Sequence, residues 1–66
     1  MSEPDELPRV GAPASRALTS AGITRLSQLA DHRAEELLEL HGMGPRAIKI
    51  LRQALADQGL SFRYDT

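Results

Sequence analysis

One stretch limits what this chain can become: Leu37-Leu38-Glu39-Leu40-His41-Gly42-Met43-Gly44-Pro45-Arg46-Ala47-Ile48-Lys49-Ile50-Leu51. Leu37, Leu38 and Leu40 fall at helical spacing before a Gly-x-Gly turn, and Ile48, Leu51 and Leu55 do so after it. Gly42 stands where a helix C-cap favours a left-handed residue, and Pro45 stands at the first position of the next helix. So short a connection leaves no room for a wandering loop, and two helices must meet at a tight turn. Met43, apolar between two glycines, is expected to turn inward and pin the turn to the core. The amides that open the second helix, from Gly44 onward, have no intrahelical partner. No side chain at Gly44 obstructs them, and Arg46 and Lys49 flank them. That combination reads as a phosphate site.

On these residues the chain resembles a known family. Leu40-His41-Gly42-Met43-Gly44-Pro45-Arg46 is similar to the turn of helix-hairpin-helix DNA-binding modules, which carry hydrophobic-x-Gly-hydrophobic-Gly before a basic residue. From Ile23 to Phe62, including the closing Gly59-Leu60-Ser61, the sequence also resembles the C-terminal domain of the bacterial RNA polymerase alpha subunit. Many helix-hairpin-helix motifs place Ala four residues after the second Gly. Here Ala47 comes at three and Ile48 fills the fourth, a departure that favours the polymerase-type branch over the repair-enzyme branch.

The rest of the chain fits a single small domain. Sixty-six residues without cysteine exclude a disulfide scaffold and a thiolate metal site. One Phe and one Tyr leave the aliphatics to fill the core. No apolar run approaches membrane-spanning length, and the N-terminus lacks a basic-then-apolar signal, so the expected compartment is the cytoplasm. Residues 1–6 form an acidic stretch with nothing to bury and read as a disordered tail. The domain is expected over 7–62 and a C-terminal tail over 63–66, with Phe62 packing back. Pro13 suits a helix start, followed by a stripe of Ala14, Ala17, Leu18 and Ala21 that Gly22 ends. Thr24 and Asp31 are the expected caps of the next two helices, and the last helix should run from Pro45 to about Gln58.

An internal repeat appears at an offset of thirty-three residues: Leu7 with Leu40, Val10 with Met43, Gly11 with Gly44, Ala14 with Ala47, Arg16 with Lys49, Leu18 with Leu51 and Ala21 with Ala54. The first copy is degenerate, because Arg9 stands where the second has Gly42. Charge placement distinguishes the helices. A helix N-terminus favours acid by ~0.3–1 kcal/mol per residue. The helix after Arg33 obeys with Glu35 and Glu36, whereas the helix after Gly44 opens with Arg46 and Lys49, and the one after Gly11 carries Arg16 and no acid. An anionic ligand would resolve both conflicts. The net charge of −1 is far from that of a protein that binds DNA by bulk charge, so a local patch must serve.

Other chemistries lack support. His32 and His41 have no metal-ligand spacing, so no metal site is expected. Ser15, Ser20 and Ser27 have no evident base, and no Walker-type lysine or dinucleotide fingerprint occurs, so the chain is not expected to be an enzyme or to need a cofactor. The expected fold is all-α, a compact bundle of about five short helices made of two helix-hairpin-helix motifs, similar to a SAM domain. The expected function is non-sequence-specific binding of duplex DNA through its backbone, by a monomer, with no membrane association. The expected contact set is Gly42, Gly44, Arg46, Ala47 and Lys49 from the second hairpin and Gly11 and Arg16 from the first. His41 joins it at the turn. The polymerase-type resemblance implies an arginine in the minor groove, for which Arg9 and Arg16 are the candidates. The alternative is a protein-interaction module of the same fold, its acidic helix or tail meeting a basic partner.

Overall fold

A computed structural model describes residues 6–64. Most of the expected acidic tail (residues 1–5) and the end of the C-terminal tail (residues 65–66) lie outside the described residues. Within them the chain is all-helical: α1 (Ala12–Ser20), α2 (Leu26–Leu29), α3 (Ala34–Leu38) and α4 (Pro45–Asp57). These are four helices rather than the five expected. The segments on either side supply no fifth. Pro8 biases Leu7 away from helical backbone, and Gly59 turns the chain out of α4 with φ +73°.

α1 and α4 end in the same way. After α1, Ile23 N–H donates to Leu18 O (2.8 Å) and Gly22 N–H to Thr19 O (3.0 Å), with Gly22 at φ +81°. After α4, Leu60 N–H donates to Leu55 O (2.7 Å) and Gly59 N–H to Ala56 O (3.0 Å). Both are Schellman endings, in which a left-handed glycine lets two late amides close on the last turn's carbonyls.

The two short helices begin on a shared device. Gln28 Oε1 accepts from Thr24 N–H (2.7 Å) and Arg25 N–H (2.8 Å), so α2 is capped at Arg25 and not at the expected Thr24. Eight residues on, Glu36 Oε1 accepts from Arg33 N–H at 3.4 Å, and α3 is capped at Arg33 rather than Asp31. In both cases the side chain three residues into the helix reaches back to an amide at its start. The capping side chain therefore comes from inside the helix, and the cap position itself tolerates arginine.

The core gathers one face of every helix. Leu18, Leu29, Leu51 and Leu55 are 0–1% exposed, and Leu26, Leu37, Ala47 and Ile48 close around them. Met43 is buried, as its place between two glycines predicts. Phe62 is the bulkiest fully buried side chain among the described residues, and Arg63 N–H donates to His32 O (2.9 Å). The segment after α4 thus returns across the start of α3 and seals the core. A radius of gyration of 10.6 Å matches the ~11 Å expected of a compact chain this long.

Candidate nucleic-acid interface

The turn between α3 and α4 is built around close contact with α1. Gly42 has φ +93°, and a Cβ placed there would lie 2.7 Å from the Pro13 carbonyl oxygen. Only glycine satisfies both the left-handed backbone and the absence of room. The contact fixes the first turn of α1 against the turn that opens α4. Met43 N–H donates to Leu40 O (3.1 Å), which tightens the turn from within.

Around this contact lies a concavity of about 410 Å³. Pro13, Arg16 and Ser20 of α1 form one wall, and Leu40, His41 and Gly42 form the other. The structure therefore brings together three of the expected residues, Arg16, His41 and Gly42. Arg16 and His41 are exposed, so a ligand could reach both.

α4 starts two residues after Gly42, and Pro45 at its first position lines a separate groove with Arg33, Leu38 and Arg52. Gly44 is its cap, in extended backbone (φ −125°, ψ 173°), and nothing lies within 4 Å of where its Cβ would be. The helical ladder starts with Ile48 N–H donating to Gly44 O (3.1 Å). The Arg46 and Ala47 amides precede that bond and have no intrahelical acceptor, while Pro45 has no N–H to offer. Arg46 is exposed and no acid occupies the first turn. Ala47 is buried at 6%, so only its backbone amide remains for a ligand.

The remaining expected residues are more dispersed. Lys49 is exposed but lines a different surface, where Pro8 lies over Gln53, Ala54 and Asp57 of α4. Arg9 is exposed and lines none of these concavities. Gly11 caps α1 as Gly44 caps α4, yet with φ +93° rather than −125°. The first copy has Arg9 in place of Gly42. An L-residue avoids positive φ, so the left-handed step moves to the glycine at the cap.

A second basic cluster was not visible from residue spacing. Arg33 and Arg63 lie over the Tyr64 ring at 4.8 and 5.1 Å, and Arg52 lies over Phe62 at 5.8 Å. Arg33 and Arg63 are thirty positions apart in the sequence and meet only because the chain returns after α4. The buried Phe62 was the one available signal for that return. Among the described residues, no group of three or more His, Cys, Asp or Glu side chains is placed to hold a metal ion. No helix among them is long and apolar enough to cross a membrane. Comparison with known families, characterised proteins and solved structures returns no match to this chain.

Proposed function

We propose that this chain is a helix-hairpin-helix domain that binds duplex DNA through the sugar-phosphate backbone, without sequence preference. One observation carries the reading: the Gly42–Pro13 contact gathers Arg16 and His41 along one concavity, two residues before an acid-free, unobstructed helix start. The roles follow from chemistry. The Gly44 and Arg46 amides would donate to one phosphate, aided by the partial positive charge of the helix end. Arg46 adds a guanidinium suited to two phosphate oxygens at once. Arg16 and His41 would meet the backbone across the concavity, each offering N–H donors to phosphate oxygens. Lys49 contributes at longer range, as a point charge rather than a contact.

The mechanism predicts a characteristic salt response. Each phosphate neutralised releases condensed counterions, and log affinity falls by ~0.9 per unit of log salt for each. A few contacts imply weak binding that is lost steeply as salt rises. Arg46→Ala with Lys49→Ala should flatten the slope by about 1, chiefly through the Arg46 contact, and weaken unrelated duplexes alike, since phosphates carry no base information. Binding isotherms for wild type and the double variant, on two unrelated duplexes across a salt series, check this. Absence of binding at low salt, or an identical slope in both proteins, would remove the DNA reading.

A further inference from the structure

A groove of about 510 Å³ runs between α3, α4 and the returning C-terminal segment, and it shares no lining residue with the concavity around Gly42. Arg33, Arg52, Arg63 and Tyr64 edge it, above an apolar floor that includes Leu38 and Ile48. Leu38 is 42% exposed and Tyr64 is 70% exposed, both large for apolar or aromatic groups in so small a domain. The carboxylate lining it is Glu35, so the guanidiniums leave the groove positive. Tyr64 sits in left-handed backbone (φ +62°), a conformation that bulky residues rarely adopt. Its ring holds Arg33 and Arg63 at 4.8 and 5.1 Å, which limits the freedom those side chains would lose on gripping a carboxylate.

From this arrangement we infer that the groove is a docking site for an acidic peptide segment of a partner protein, one that carries a large apolar side chain among its carboxylates. The Arg33 and Arg63 guanidiniums pair with the carboxylates, and the apolar side chain covers Leu38. Two features favour a peptide over nucleic acid. An aliphatic floor of Leu38 and Ile48 covers an apolar side chain and gives a base nothing to stack on beyond a single ring. Discrete carboxylates can be spaced around Glu35 where a continuous phosphate backbone cannot. The groove is distinct from the concavity around Gly42, and it reaches the first position of α4 at Pro45.

A short synthetic peptide of Glu and Gly with one central Phe is the probe, titrated into the isotopically labelled protein and followed by NMR. Amide shifts are expected at Arg33, Leu38, Arg52, Arg63 and Tyr64. Replacing the peptide's Glu by Gln, or its Phe by Ser, should weaken binding about fivefold or more. Arg63→Glu and Leu38→Ser in the protein should do the same, with circular dichroism confirming the fold. Arg63→Gln, a milder change, serves if the reversal unfolds the chain. Arg46→Ala with Lys49→Ala should leave peptide affinity unchanged, which separates this site from the DNA site. No shifts in the groove, equal binding of the Gln peptide, or groove shifts caused by an oligonucleotide and not by the peptide would each overturn the proposal.

Discussion

Set in register at the thirty-three-residue offset, Leu7–Ala21 and Leu40–Ala54 agree inside and disagree at both ends. Ala14 with Ala47 and Leu18 with Leu51 are buried pairs, and Arg16 with Lys49 is an exposed pair. At the front, the left-handed step falls on the cap in the first copy (Gly11) and two residues before it in the second (Gly42). At the back, α1 spans nine residues and α4 thirteen, although the same glycine ending closes both. The second copy is therefore the first plus one helical turn, and Leu55, fully buried, stands where the first copy has Gly22. Packing positions tolerate little change, since each buried side chain has several neighbours to satisfy. Turn geometry is freer to drift. In the second copy the drift left an extended, open cap at Gly44. The first copy's cap at Gly11 is also unobstructed but sits in left-handed rather than extended backbone.

The largest expected effect probes the inside, where the copies agree. Leu51→Ala should cost ~2–5 kcal/mol in denaturant unfolding, and Leu18→Ala a loss of the same order. A change below half a kcal/mol at either would mean that the two helices do not share a core register. Next come the ends. Gly42→Ala should cost roughly 2–4 kcal/mol, because positive φ combines with overlap on the Pro13 carbonyl. Gly22→Ala, with positive φ but nothing within 4 Å, should cost only about 1 kcal/mol. Equal costs would show that the Gly42–Pro13 approach is looser than described. The smallest effect on folding is expected at the open cap. Gly44→Leu should change stability by less than ~0.5 kcal/mol and leave the circular dichroism helical while weakening duplex binding. A folded variant with unchanged affinity would take the hairpin out of the binding site.

Much of the fold was legible because punctuation residues mark it. Pro45 opens α4, Gly59 closes it, and Gly22 closes α1, each for a local backbone reason that needs no partner. Met43 and Leu51 could be placed inside from spacing alone. The caps of α2 and α3 were misplaced because Gln28 and Glu36 supply them from within the helix, where side-chain type at the cap gives no hint. Of the expected contact residues, Arg16, His41 and Gly42 line one concavity, whereas Lys49 lines another. The Arg33–Tyr64–Arg63 cluster was out of reach, since it depends on where a segment without regular structure returns.

That return also bears on how the domain is made. Synthesis is vectorial, and a core is finished only when its last member has left the ribosome. Here the late member is Phe62, and Arg63 then fastens the segment to His32, thirty-one positions earlier. All four helices are therefore synthesised before the side chain that seals them exists outside the exit tunnel. Until Phe62 emerges, the core lacks its bulkiest fully buried side chain, so the domain is completed by its last few residues rather than by its helices.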